Sequence, residues 1–430
     1  MADAVATCPH DPEAIDFTLA DGLILGAPLP YYRRLRDADP VHYDDKLGCW
    51  LVSRYDLAGE VLRDAVTYSQ ELGWKTQFAK GYFDELKAIL ERDGGGYFPE
   101  MLLLDPPGHT RMRKLVNQAL GARTVELLRP RIERLIEDWV ERIAPLGAVD
   151  GVSGFAIPLT IDIMCEQLGF PQAEAADSIQ DWARAYIDQV GGMQTHDDML
   201  ANAKLICELQ NFIIARVRER EGGRRDDMIS DLIHAVLEDD DEAKLTFEET
   251  VALTRGLLLA GNDTTAVAIS NFLLLMATRP DLAEHVTAIL DDNSKLSRFV
   301  EELLRLMPPV RGLFRITTRQ VELGSVTLPE GAHVCVLFAS ANDDERVFSG
   351  PRDFDDARAN ISRHMSFGAG IHLCAGLALA RMELKAAIRA IMTRLEGIEL
   401  AVGVEELVYT PSMTSMALEA LPLRFRRCRD

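Results

Sequence analysis

The sequence predicts a mainly α-helical fold with small β-sheets, and three observations carry that prediction. Helix-forming segments follow one another with few interruptions from Asp105 to about residue 238. A single run from Thr246 to Arg279 is long enough to cross a whole domain. Strand-like composition is confined to short pieces: Val41–Tyr43, Cys49–Ser53, residues 320–340, and L-P-L-R-F near the C-terminus.

Residues 1–29 read as an irregular N-terminal segment, with prolines at 9, 12 and 28, and 30–430 as one domain. Tyr31 to Asp39 reads as a short helix, the next two strand pieces as a hairpin, and Tyr55 to Asp64 as a further helix. The stretch 70–104 is the least regular and carries Gly94-Gly95-Gly96 beside Tyr97, Phe98 and Met101. Long connections of that kind are often functional. Asp105-Pro106-Pro107 marks a helix start, with Asp105 as N-cap and proline in the first turn. In the helix that follows, His109 and Arg113 are four apart and share a face. Further helices are expected to about residue 145 and over 158–168, 172–190, 198–221 and 226–238, with an elbow at Gly191-Gly192 beside Met193.

The long run opens with Thr246-Phe-Glu-Glu249, a capping-box pattern, and closes at Arg279-Pro280. A helix of about 32 residues spans roughly 48 Å. Its middle, G-L-L-L-A-G-N-D-T-T-A-V-A-I-S, is apolar on most sides and is therefore expected to be buried. Yet Gly261, Asp263, Thr264 and Thr265 interrupt it. Gly and Thr weaken a helix interior, and Thr hydroxyls can bond the carbonyls of the preceding turn. The plain alternative is a kinked core helix; a buried Asp–Thr pair points instead to proton handling. Farther on, Glu302 and Arg305 in E-E-L-L-R read alone as a solvated ion pair. Residues 320–340 give short strands around the P-E-G turn at 329–331, and Gly350 to His364 is a coil containing Arg358.

The most informative stretch is Ser366 to Gly376, S-F-G-A-G-I-H-L-C-A-G, followed by a strong helix former. Cys374 is thus placed on a glycine-rich loop at a helix N-terminus, where free N–H groups and the helix dipole favour a thiolate. Gly368, Gly370 and Gly376 let the backbone approach something flat and bulky. A thiolate held this way is a good axial ligand for haem iron. A lone cysteine is more often a small buried hydrophobe. A zinc site on His372 and Cys374 lacks a second Cys/His pair at finger-like spacing.

Composition narrows the partners. With 46 basic and 68 acidic residues the net charge is −22, which argues against nucleic acid. The seven cysteines (8, 49, 165, 207, 335, 374 and 428) are scattered, as reduced cytosolic thiols are. The N-terminus shows no signal-peptide pattern, and no run of 18 apolar residues lacks charge. A soluble cytoplasmic protein without a membrane anchor is expected.

Four motifs in order, A-G-N-D-T-T, E-L-L-R, P-R-D-F-D-D-A-R and the cysteine loop, resemble the cytochrome P450 family, specifically its soluble bacterial members, from about residue 30 to the end. The resemblance implies the P450 fold, with haem b (iron protoporphyrin IX) held between the long helix and the Cys-loop helix and ligated by Cys374. It implies His109, Arg113, Arg315 and His364 at the haem propionates. Ala260 and Gly261 would stand on the haem-facing side of the long helix, Gly261 leaving room for dioxygen, and Phe367, Gly368 and Gly376 would frame the thiolate. Glu302, Arg305 and Arg358 would form a buried structural network. One departure is Asp343, where relatives commonly have Arg; a change to a surface near the coil is expected from it.

The activity so implied is a monooxygenase that inserts one oxygen atom of O2 into a hydrophobic small molecule: a terpenoid, steroid, fatty acid or aromatic. Thr264 would hydrogen-bond the activated dioxygen and Asp263 would relay protons. Tyr97, Phe98, Met101, Met193, Leu257, Leu258, Val310, Leu313, Phe314, Met413 and Met416 are expected around the substrate. No ferredoxin-like cysteine spacing is present, so electrons would come from a separate iron–sulfur ferredoxin and its reductase. Arg111, Arg113, Lys114, Arg381, Lys385 and Arg389 would form its docking patch, with Glu383 as an ion-pair partner on the same surface. A monomer is expected. A peroxide-using haem-thiolate enzyme, a haem gas sensor or carrier without turnover, and a haem-free binding protein are the alternatives.

Overall fold

A computed structural model describes residues 26, 28–71, 82–191, 195–236 and 244–428. The Gly192 half of the elbow, Met193 and the irregular N-terminal segment lie outside the described residues, Gly26, Pro28 and Leu29 excepted.

The chain opens with helix α1 (Leu29–Ala38), the hairpin β1 (Val41–Asp44) and β2 (Cys49–Val52), helix α2 (Tyr55–Arg63) and the short β3 (Tyr68–Ser69). Strand β3 was not expected; the two helices and the hairpin match the expectation closely because their signals are local. Helix α3 (Phe83–Asp93) does not: it stands in the stretch read as irregular. Its cue is a narrow stripe, Leu86 and Leu90, buried one turn apart under Asp84 and Glu85 in the first turn.

Helix α4 (Gly108–Ala119) begins three residues after Asp105. The Asp105 carboxylate does not cap it. It accepts instead from the Ser69 hydroxyl (2.5 Å) and the Gln70 N–H (3.0 Å), tying the helix start to β3. Then come α5 (Ala122–Ile143), β4 (Ala148–Asp150), α6 (Ile157–Leu168), α7 (Gln172–Gly191), α8 (His196–Glu221) and α9 (Met228–His234). Gly191 is still helical, and α9 stops earlier than expected because Ala235 turns extended.

Helix α10 (Phe247–Thr278) is the 32-residue axis of the molecule. Both bonds of the capping box form: Thr246 Oγ1 accepts from Glu249 N, and Thr246 N donates to Glu249 Oε2. By length and composition this helix could cross a membrane, but most of it is buried inside the protein. Its N-terminal half packs Val251, Leu258 and Leu259 among residues of α4, α6 and α8. Its C-terminal half packs Ile269, Phe272 and Leu273 among residues of α5 and the later helices.

The remaining elements are α11 (Pro280–Ile289), α12 (Asn293–Leu306), β5 (Leu313–Thr317), the hairpin β6 (Val321–Leu323) and β7 (Val326–Leu328), β8 (His333–Val336), α13 (Phe338–Ala341), α14 (Leu377–Arg394), β9 (Leu395–Leu400) and β10 (Pro422–Arg427). The sheets are small, with orders β1-β2-β8-β5-β3, β4-β10-β9 and β6-β7. Strand β5 escapes a pattern reading because its last three residues are buried in succession, so nothing alternates.

Candidate functional site

The cysteine loop is folded by short backbone bonds. Gly368 N donates to Met365 O, and Cys374 N donates to Phe367 O (both 2.9 Å). Gly368 and Gly370 have φ of 72° and 70°, and a Cβ on Gly370 would collide with the Leu62 carbonyl of α2. A Cβ on Gly376 would meet nothing, so one side of the loop is open. Helix α14 starts at Leu377, as the sequence indicates.

Burial pushes the Cys374 thiol above its ordinary value, while the Gly376 N–H and the charges of Arg113 and Arg381 pull it down. The helix terminus alone therefore does not ionise it. A bound cation would, since metal coordination deprotonates a thiol. Among the described residues no group of three or more His, Cys, Asp or Glu side chains is placed to hold a metal ion.

Beside this loop lies a set of cationic and donor side chains with little to bind. Arg315 is 3% exposed, yet among the described residues its side chain makes one hydrogen bond, to the Phe314 carbonyl. Burial lowers its guanidinium to about 10, with Asp105 opposing. His109, on α4, is buried, and among the described residues neither ring nitrogen has a hydrogen-bond partner. Its ring lies 4.3 Å from that of His372, whose Nε2 is also buried and unpartnered. His372 is lowered to about 3 by burial and by Arg315, His109 and Arg113. Arg113 donates to Leu373 O (2.6 Å) and Asn117 Oδ1 (3.0 Å), which joins α4 to the loop.

His364, expected at the same place, is engaged elsewhere. Its Nε2 lies 3.0 Å from Glu301 Oε2, and its Nδ1 accepts from Ser366 N. Glu301 also takes a bidentate bond from Arg381 (2.7 Å each). Burial would raise Glu301, but His364 and Arg381 overrule it and hold it at about 2. His372 stands in the cluster where His364 was expected. The H-x-C spacing, which places an imidazole two residues before the thiol on the same loop, is the sequence signal for it.

Across from the loop, the middle of α10 carries an accessible stripe in an otherwise buried helix. Ala260 is exposed, and Gly256, Leu257, Gly261, Asp263 and Thr264 are partly so. Thr264 Oγ1 donates to Ala260 O (2.6 Å). Asp263 is raised to about 6 by burial and by the charge of Asp188 on α7, so it can both take and give a proton near neutrality. Gly261 does not leave room at this stripe in the sense expected. Its missing Cβ points at Met164 Sδ (2.6 Å), so the glycine serves close packing against α6.

Other expectations change in the same way. Glu383 is no surface partner: it is 3% exposed, accepts from Gln167 Nε2 (2.9 Å) and Thr265 Oγ1 (3.5 Å), and is raised to about 7 by burial against those two bonds. Glu302, Arg305 and Arg358 form a fully buried network, with Arg305 bidentate to Glu302 at 2.8 and 2.7 Å. Asp343 is buried too, paired with Arg36 (3.0 Å) and Arg352 (3.5 Å), so the departure alters an interior ion pair rather than a surface. Met413 and Phe314 pack with Tyr32 and Leu51 at the large sheet, and Tyr97 packs on Phe83; these belong to core clusters. In the basic patch, Arg111 is paired with Glu249 and Arg381 with Glu301. Lys385 and Arg389 donate to neutral oxygens of Asn293, Ser297 and Leu290.

One thiol, an open-sided loop, and buried arginine and imidazole groups left unpaired suit a flat ligand with carboxylates at its edge, and haem has that form. Comparison with known proteins leads to the same class. The chain belongs to the cytochrome P450 family: the family model described as Cytochrome P450 matches residues 192–407. It is 33% identical to cytochrome P450 monooxygenase PikC of Streptomyces venezuelae over 94% of this chain and 92% of that protein. It is 32% identical to the vitamin D(3) 25-hydroxylase of Pseudonocardia autotrophica, over 94% and 95%. Among solved structures, CYP109E1 from Bacillus megaterium in complex with corticosterone superposes with a TM-score of 0.77 at 28% identity, covering 93% of this chain and 98% of that one. The protein is a haem-thiolate monooxygenase that uses O2, a small-molecule substrate and redox partners.

Proposed function

We propose that this P450, a single catalytic domain from residue 30 onward, oxygenates a bulky hydrophobic molecule such as a terpenoid, steroid, fatty acid or aromatic. The cofactor of this reading is haem b, with Cys374 as its thiolate ligand and Arg315, Arg113, His109 and His372 at its carboxylates. When bound there, haem supplies oxygen activation and accepts single electrons. The observation that carries the reading is the Asp263–Thr264 pair on the accessible stripe of α10, aligned with a carboxyl group raised to about 6.

The chain's own residues supply orientation and protons. Inserting one oxygen atom and releasing the other as water consumes two electrons and two protons. Asp263 takes protons from the solvent side and passes them toward the Thr264 hydroxyl, which is held in place by Ala260 O. Apolar Leu257 and Ala260 leave the substrate few polar contacts, so shape decides its pose. The relatives named for vitamin D(3) and bound to corticosterone support an apolar polycyclic substrate. A monomeric enzyme fed by a ferredoxin and its reductase completes the reading. Lys385 and Arg389, whose charges have no carboxylate partner within ion-pair distance among the described residues, then form the docking patch.

The test separates the two helix residues. In Thr264→Ala, reductant consumption persists while hydrogen peroxide replaces product; in Asp263→Asn, turnover slows by about 10- to 100-fold with coupling largely kept. Equal, well-coupled turnover in both variants removes the relay.

A further inference from the structure

We propose that Glu100 and Arg255 are positioning residues that clamp the Tyr97–Met101 segment against α10 and so fix the wall of the substrate pocket. This rests on the reading that the accessible stripe of α10 faces substrate. Arg255 and Gly256 lie little more than one turn before Ala260 on that helix.

Both clamp side chains are nearly inaccessible, and each nitrogen of the Arg255 guanidinium and each carboxylate oxygen of Glu100 has a hydrogen-bond partner. Arg255 Nε donates to Glu100 Oε1 (2.8 Å), Nη2 donates to the Phe98 carbonyl (2.9 Å), and Nη1 donates to Gln210 Oε1. The other carboxylate oxygen of Glu100 accepts from the Tyr186 hydroxyl of α7 (2.8 Å). Gln210 of α8 then donates to both Gly94 O and Gly96 O (2.6 Å each), and the adjacent Asn211 donates to Asp93 O (2.9 Å). Side chains from α7, α8 and α10 thus hold one irregular segment from Asp93 to Glu100.

The segment needs such hooks. Gly95 and Gly96 have φ of 80° and 138°, conformations with little intrinsic preference for order. The approach to α10 is also close: a Cβ on Gly256 would stand 3.2 Å from Glu100 Oε2. Phe98 and Met101, on either side of the ion pair, pack on the same apolar cluster as Leu257 and Leu258. A buried ion pair is weak evidence for stability, since apolar residues of similar volume often do as well; its use here is to set one register of the wall.

The experiment uses haem-loaded enzyme and two iron-ligating probes read by the Soret shift. Imidazole is small and reports the iron alone; clotrimazole is bulky and must also fit the wall. In Glu100→Gln and Arg255→Met, clotrimazole binds roughly tenfold more weakly, through faster dissociation, and Arg255→Lys recovers part of the loss. Imidazole affinity and the ferrous–CO spectrum stay as in the unaltered enzyme, and amide exchange over 94–101 accelerates. Should either variant fail to retain haem, Tyr186→Phe decides: it removes one bond to Glu100 and weakens clotrimazole about threefold in the same direction. Clotrimazole kinetics identical to the unaltered enzyme in the variants that hold haem overturn the clamp alone. No azole shift in the unaltered enzyme overturns the pocket reading and the clamp with it.

Discussion

Arg305 and Arg315 are ten residues apart and almost equally buried, yet they live in opposite circumstances. Arg305 has a bidentate glutamate, the carbonyls of Asn342 and Pro351, and the ring of Phe348 beneath its guanidinium. Among the described residues Arg315 has one neighbouring carbonyl, the charge of Asp105, and nearby His109 and His372, whose buried Nε2 atoms lack partners. A buried charge without a counter-charge is costly, so the protein tolerates it only where something else is meant to pair with it. The first arginine is architecture; the second fits the place proposed for it at the haem carboxylates.

The largest way to break this contrast is to make Arg305 resemble Arg315. Glu302→Ala leaves Arg305 and Arg358 without their carboxylate, at a cost of about 3–5 kcal/mol. The variant is expected to yield little soluble holoprotein and to melt far below the parent; an unchanged melting curve would show that the network is dispensable.

Glu383 sharpens the contrast from the acid side, being buried with neutral partners only. Its carboxyl is raised from 4.5 to about 7, so the folded state holds its proton more tightly than the unfolded one. The folded protein therefore loses stability as pH rises through that window, by on the order of 3 kcal/mol in all. Glu383→Gln is expected to flatten the dependence of Tm on pH between 4.5 and 7, with its advantage greatest above pH 7. A parallel pH profile in the variant would place the carboxyl in water.

The smallest effect has the most telling sign. Arg315→Met removes an unpaired charge from the apo protein and a haem partner from the holoprotein. Apo stability should rise by about 1 kcal/mol while haem dissociates faster. Thermal melts of both forms check this, and destabilisation of both would make Arg315 ordinary architecture.

The legibility of these features followed their range along the chain. The capping box of Thr246 and Glu249 and the turn from Phe367 to Cys374 are local, and both formed as read. Which of two histidines eight residues apart enters the cationic cluster depends on a loop folding back on α4; the H-x-C spacing puts His372 on the loop of the thiol but does not show that packing. Gly261 and Glu383 were misread for one reason: a helix shows its faces in sequence, but not which neighbour lies against each. Met164 of α6 and Gln167 of α6 decide those two cases. Strand β5 is defined by pairing with β8 and β3, at either side of it in the sheet and far apart in sequence.

The account turns on Cys374 as the thiolate ligand of haem, and the ferrous–CO spectrum reads that bond directly. The unaltered protein should show the red-shifted Soret band that a thiolate gives, and Cys374→His should bind haem but lose that band together with monooxygenase activity. If Cys374→His keeps both the band and the activity, the iron is held by another residue and the site as described here is wrong.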